Sequence, residues 1–238
     1  MYITCKDLSY SYPGVPTHVF KGINCSLRGP GFFSLFGLSG VGKSTLARLL
    51  SNGLTAESGR VETDLGRILY AHDSERLPGW LTIGDHFKKI ADNKYAKLLQ
   101  GLISDYGLKE SLSRRFTSLS MGQRNRANLI RYLVQDFDLL ITDEVLANVD
   151  EPTRYGILGS MKHIFPKKMF LYISHNAIEV ARFSKTIFVL PQAPDGATGL
   201  IEISGLDQQA NRSPSDEMVQ KKIYEILRAA SAGEDSTR

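Results

Sequence analysis

The string Gly37-Leu38-Ser39-Gly40-Val41-Gly42-Lys43-Ser44-Thr45 constrains this chain more than any other part of it. It satisfies GxxxxGK[ST] at every defined position. It also stands between a compact apolar run, Phe32-Phe33-Ser34-Leu35-Phe36, and a stretch from Ser44 to Leu50 with helical spacing. Strand, glycine loop and helix in that order curl backbone N–H groups around a phosphate at a helix N-terminus, where the helix dipole favours negative charge. Lys43 is then expected to reach the β and γ phosphates of a nucleotide, and Ser44 to offer its hydroxyl to Mg2+. The same loop serves kinases and GTPases, so it selects a nucleotide site before it selects an activity.

Three further apolar runs end in polar or ionisable residues. Ile68-Leu69-Tyr70-Ala71 leads to His72-Asp73, Asp138-Leu139-Leu140-Ile141-Thr142 to Asp143-Glu144, and Met169-Phe170-Leu171-Tyr172-Ile173 to Ser174-His175. Buried strands with functional residues at their carboxyl ends predict an α/β P-loop NTPase fold with a mostly parallel core sheet, and a ligand crevice where the strand ends converge. Residues 1 to 36 alternate apolar and polar positions around turn signals at Pro13-Gly14, Pro16 and Gly29-Pro30-Gly31, which predicts an N-terminal antiparallel β subdomain. The stretch from Thr82 to Arg115 lacks a strand pattern; with Ile83, Phe87, Ile90 and Ala91, then Tyr95, Leu98, Leu99, Leu102 and Ile103 at helical spacing, it predicts a helical insertion lobe over about 82–120. Past Ile187-Phe188-Val189-Leu190, a turn from Pro191 to Gly199 and Ile201-Glu202-Ile203 read as a hairpin. Residues 206–238 read as a polar linker and a C-terminal helix, opened by Ser213 as N-cap and Pro214 in the first turn, with a stripe of Val219, Ile223, Ile226 and Leu227 and a frayed end from Gly233 to Arg238.

Composition narrows the classes. With 238 residues, 42% of them hydrophobic and 23% charged, the chain suits one domain with a lobe. A net charge of +4 comes from scattered basic residues without a concentrated stripe, so a solvated surface is expected and a nucleic-acid partner is not. Cys5 and Cys25 are too few for a disulfide framework and fit no zinc spacing; buried free thiols are expected. Neither a signal peptide at Met1-Tyr2-Ile3-Thr4 nor a run long enough to span a bilayer is visible, so a membrane role is expected to come through a partner.

Asp143 fits the acidic element that binds Mg2+ through water, and Glu144 is placed to polarise the attacking water. Leu119-Ser120-Met121-Gly122-Gln123, followed by Arg124, Arg126 and Arg131, then supplies a second phosphate clamp: Ser120 and the N–H groups around Gly122 at the start of a helix. One chain already owns a P-loop. The second clamp is best used on the ATP of another subunit, which is thereby sandwiched between two monomers.

The ordered pairing of these strings resembles the nucleotide-binding domain of ABC ATPases over about residues 2 to 205, with the domain as a whole placed at 1–205. The resemblance implies ATP and Mg2+ as ligands. It implies that Lys43, Glu144 and His175 are catalytic, His175 as the switch histidine at the γ-phosphate. It implies nucleotide contacts from Tyr12, as the aromatic that stacks on adenine with Tyr10 as a rival, from Gly37 through Thr45, and from Ser120, Gly122, Gln123 and Asp150. Ala147-Asn148-Val149-Asp150 corresponds to the loop that links two composite sites. The metal set is Ser44, Asp143 and His72, the last standing where the family places a glutamine. Neutral imidazole accepts a bond from metal-bound water and imidazolium does not, so coupling near an unperturbed pKa of about 6.5 becomes pH-sensitive in this reading. Met121 replaces the first of two signature glycines, and altered affinity with retained activity is expected.

The implied function is an ATP-binding subunit that hydrolyses ATP to power a membrane transporter, foremost a small-molecule importer. Arg76-Leu77-Pro78-Gly79-Trp80-Leu81-Thr82 resembles the segment of importer ATPases serving nitrate, sulfonate and related small anions, where it helps form a groove for a membrane subunit's helix; Trp80 reads equally as a core anchor. A soluble assembly factor or scaffold of the iron-sulfur type is the alternative, with an exporter or lipid-extraction ATPase beside it. Transmembrane permease subunits and a second ATPase subunit are the implied partners, with the chain cytoplasmic and peripheral at the inner face of the membrane. Transported substrate, direction and homodimer versus heterodimer are not legible.

Overall fold

The computed structural model describes residues 1–72, 79–193, 196–209 and 213–232. Asp73, the segment 76–78, part of the turn at 191–199, the end of the linker and the tail from Gly233 lie outside the described residues. In chain order the elements are β1 (Tyr2–Tyr10), β2 (Phe20–Arg28), β3 (Gly31–Phe36), α1 (Lys43–Leu50), β4 (Ser58–Thr63), β5 (Ile68–His72), α2 (Ile83–Ile90), α3 (Ala96–Asp105), α4 (Met121–Leu133), β6 (Leu139–Asp143), α5 (Glu151–Ile164), β7 (Met169–Ile173), α6 (Ala177–Phe183), β8 (Thr186–Val189), β9 (Ile201–Ser204) and α7 (Asp216–Ser231).

Six strands form the core sheet in the order β5-β6-β7-β3-β8-β9, parallel except for β9, which returns as a hairpin on β8. Strands β6 and β7 are buried at every position, which is why Leu139–Ile141 and Met169–Ile173 are unbroken apolar runs with no alternation to read. Strand β3 divides the core: Phe32 and Phe36 face one apolar cluster, with α4, α5 and the helices between β5 and β6, whereas Phe33 and Leu35 face the other, with α1 and the antiparallel sheet. Burying a phenylalanine of this kind contributes about 1.5–3 kcal/mol. The predicted α/β P-loop architecture with a mostly parallel sheet is therefore the one observed. The pairings Leu35↔Ile173, Asp143↔Ile173 and His72↔Asp143 align the carboxyl ends of four neighbouring strands in one row. That row is where the site forms.

The antiparallel sheet has the order β2-β1-β4, and β4 has no counterpart in the sequence pattern: Ser58–Thr63 has no buried residue and carries too few apolar residues to signal a strand. Helix α7 corrects the reading of its start. Ser215, not Ser213, is the N-cap, its Oγ accepting from Met218 N at 3.3 Å, so Pro214 precedes the cap instead of filling the first turn. Val219 and Ile226 are buried as expected, but Leu227 is exposed. Cys5 is buried and Cys25 half-buried, both free, at directly paired positions of β1 and β2. Trp80 is 76% exposed, which overturns its reading as a core anchor. Among the described residues no helix is long and apolar enough to cross a membrane.

Candidate functional site

Strand β3 ends at Phe36, the loop from Gly37 to Gly42 follows, and α1 opens at Lys43. Gly42 has φ 105°, and a Cβ there would lie 2.5 Å from Val19 Cγ1, so only glycine brings the chain round into the helix. The first turn of α1 has no acidic residue and no side-chain cap, which leaves its N–H groups for an anion. Lys43 is 6% exposed, and its Nζ donates to the carbonyls of Gly37 and Leu38, both at 2.9 Å. Burial pushes its pKa below the ordinary 10.5, against the pull of Glu144 and Asp143. A phosphate would give this ammonium a stronger, charged acceptor.

A cavity of about 410 Å³ opens here, lined by Tyr12, Val19, Ser39, Gly40, the Gly42–Thr45 corner, Asp143 and Glu144. A second of about 420 Å³ shares Tyr12, Val19, Ser39 and Gly40 and extends past His18 and Val41 to Pro191 and Ala197. Together they have the size of a small-molecule site. Tyr12 is 42% exposed with its Oη 2.8 Å from Thr45 Oγ1, and it meets Tyr10 edge to face. Tyr10 is buried and lines neither cavity, so of the two tyrosines Tyr12 is the one at the site.

Asp143 closes β6 and is 6% exposed; Tyr70 Oη donates to its Oδ2 at 2.7 Å. The sequence reading missed Tyr70, although strand alternation puts it on the same face as His72. Ser44 and Asp143 present hard oxygen donors, and among the described residues no group of three or more His, Cys, Asp or Glu could hold a metal alone. That donor set fits Mg2+, which keeps waters and shares phosphate oxygens.

Glu144 has φ 53°, a left-handed conformation that costs a non-glycine residue about 1–3 kcal/mol and concentrates at functional sites. Its backbone N–H bonds Ile173 O at 3.2 Å, and its Oε1 lies 3.0 Å from His175 Nδ1. The loop carrying His175 is braced from below by Glu179, which is 1% exposed. Tyr172 Oη donates to Glu179 Oε2 at 2.6 Å and Asn176 Nδ2 to its Oε1 at 2.8 Å, while Arg154 Nε stands 2.6 Å from Oε1. Arg154 Nη1 in turn donates to Leu146 O at 3.3 Å, next to the 147–150 loop. Burial raises the Glu179 pKa, opposed by Tyr172 and Arg154. Sequence gave no warning of this brace, because a glutamate and an arginine on amphipathic helices look like solvated charges.

The other predicted residues stand elsewhere. Ser120 and Gln123 form a reciprocal capping box at α4, with Gln123 N to Ser120 Oγ at 3.2 Å and Ser120 N to Gln123 Oε1 at 3.0 Å. A Cβ on Gly122 would lie 2.7 Å from Asn148 O, so this glycine lets the 147–150 loop touch the helix start. Asp150 caps α5, accepting from Thr153 N at 3.1 Å. None of Ser120, Gly122, Gln123 or Asp150 lines the cavity of their own chain. His72 is also absent from that lining; its carbonyl accepts from Asn128 Nδ2 at 3.2 Å and its ring lies 5.6 Å from that of Tyr70.

The family model described as ABC transporter matches residues 20–147. The chain belongs to the ABC transporter family. An uncharacterised ABC transporter ATP-binding protein from Haemophilus influenzae is 30% identical over 212 residues, covering 83% of this chain and 85% of that protein. An aliphatic sulfonates import ATP-binding protein, SsuB 2 of Agrobacterium fabrum, is 27% identical over 92% of this chain and 88% of its own length. A molybdenum import ATP-binding protein, ModC of Photorhabdus laumondii, is 26% identical over 77% of this chain and 57% of its own. Among solved structures, a bacterial Atm1-family ABC exporter with ATP bound superposes with a TM-score of 0.75 at 21% identity, over 93% of this chain and 42% of that one. An inward-facing ABC transporter of the metal-chelate type gives 0.68 at 18% identity, over 85% of this chain and 82% of the other. At those identities the two structures speak for the ABC fold alone.

Proposed function

We propose that this chain is the ATP-hydrolysing subunit of a membrane importer for a small molecule and works as one of two paired ATPase subunits. The observation that carries the reading is the meeting of Lys43, Asp143 and Glu144 at one nucleotide-sized cavity, with His175 hydrogen-bonded to Glu144. The import names of the sulfonate and molybdenum relatives support the direction. Exposed Trp80 supports a partner surface in the segment where the resemblance places a membrane subunit's helix.

In this reading the N–H groups opening α1 and the Lys43 ammonium take the β and γ phosphates, while Tyr12 offers its ring to the base. Ser44 and Asp143 would hold Mg2+, whose charge would offset that developing on the transferred phosphoryl. Glu144 orients an in-line water and accepts its proton. With Glu144 ionised, His175 Nδ1 must donate to it, so Nε2 donates to a phosphate only as imidazolium or after the pair separates. Glu144 keeps its second carboxylate oxygen for the water while Oε1 holds His175. Ser120 and the α4 terminus face the ATP of the neighbouring subunit, closing the pair; permease subunits anchor it at the inner face of the membrane.

Co-purification from native membranes, with ATPase activity read alongside, tests this. A multi-span membrane subunit retained with the chain and vectorial uptake into vesicles is the expected result. Recovery of an active ATPase with only soluble cluster-assembly proteins would replace the importer by a scaffold.

A further inference from the structure

We infer that the Tyr70 hydroxyl is a positioning group for the metal-binding carboxylate of Asp143. The inference rests on the MgATP reading above. Asp143 is 6% exposed at the edge of the cavity, so its carboxylate keeps little contact with bulk water, and a buried carboxylate without a donor is costly. Tyr70 Oη supplies the donor at 2.7 Å, on Oδ2. The register pairs Tyr70 with Ile141 and His72 with Asp143, so the phenol reaches diagonally from the middle of β5 to the end of β6. Tyrosine's length carries its hydroxyl across that offset. Holding one oxygen fixes the plane of the other, which is what a ligand to a geometry-demanding ion needs.

The plain alternative is that Tyr70 fills space. Its ring does pack against the cluster that holds Leu46 and Ile141, and it lies 5.6 Å from the His72 ring, tilted by 33°. A filler role, however, needs only the ring, and Phe would serve it. The hydroxyl is therefore the separable part of the residue.

Tyr70→Phe removes that oxygen and little else. The measurement is binding of a fluorescent ATP analogue to the intact chain, titrated with Mg2+ and repeated in EDTA, with the thermal midpoint of the ligand-free protein recorded. The expected result is an apparent Mg2+ affinity lowered on the order of 10- to 100-fold, the cost typical of losing a group that orients a metal ligand, with metal-free binding and the thermal midpoint little changed. In an Asp143→Asn background the same substitution should then do nothing further to the Mg2+ titration. Equal losses with and without Mg2+, or an unchanged Mg2+ titration, would overturn the inference while leaving the nucleotide site intact. Wild-type protein that binds no ATP analogue at any Mg2+ concentration would overturn the nucleotide reading and this inference together.

Discussion

The P-loop cradle around Lys43 and the capping box around Ser120 are the two regions proposed to meet phosphate, yet one is enclosed and the other lies open. Lys43 and Asp143 are each 6% exposed and already engaged, the ammonium by two carbonyls and the carboxylate by a phenol. Around Ser120 the polar groups are satisfied by each other, and neighbouring Met121 is 58% exposed. A buried cradle strengthens each contact by excluding water, whereas an exposed helix terminus stays weak until a second surface covers it. The difference teaches that, under the proposed function, one chain holds the nucleotide and a second finishes the enclosure.

Exchanging the cradle's water-orienting group should have the largest effect. Glu144→Gln is expected to lower turnover by about 10²–10⁴-fold, the usual range for a general base, and to accumulate an ATP-bound pair in light scattering; monomer only would break the idea that the clamp completes the cradle. Next comes the brace between the two regions. Glu179→Ala strands Arg154 beside the 147–150 loop and should lower stability by about 3–5 kcal/mol in urea unfolding, with Glu179→Gln milder; an effect near zero would mean the histidine and clamp loops are not mechanically joined.

Lys43→Ala should weaken ATP binding on the order of 100-fold by equilibrium fluorescence, while retained affinity would reject the cradle itself. The same lysine makes a pH prediction. Its folded-state pKa lies below 10.5, so the unfolded chain binds the extra proton between those two values and stability rises with pH through that window. The penalty is fully present below the folded pKa, so Lys43→Met should melt slightly above wild type near neutral pH, by a margin that shrinks as pH approaches 10.5. Smallest is Ser120→Ala, which removes a helix cap and should cost the isolated chain about 1 kcal/mol. A much greater loss of turnover at saturating ATP than this stability change explains would sharpen the contrast, showing that Ser120 acts across the interface.

Contiguous chemistry was legible. A glycine loop, its lysine and its following helix occupy the fourteen adjacent residues from Gly37 to Leu50, and the apolar runs of β6 and β7 announce a parallel sheet. Strand β4 escaped because half-exposed edge sequences carry little apolar signal, and the start of α7 was misplaced because Ser213 and Ser215 are equally good caps until the backbone chooses. Trp80 shows the other limit: a large apolar residue reads equally as core or as partner surface, and only the fold reveals it 76% exposed.

By itself the sequence determined the class of the protein and the strand-loop-helix around Lys43, because those depend on neighbours along the chain. The partners of the site were decided by tertiary structure alone. Tyr70 and Asp143 meet across 73 positions, and Arg154 reaches Glu179 from another helix. The left-handed turn at Glu144 is likewise held where its N–H meets β7. Strand register and helix packing place these groups within hydrogen-bond distance, and no spacing in the sequence encodes a contact that exists only once separate elements are docked.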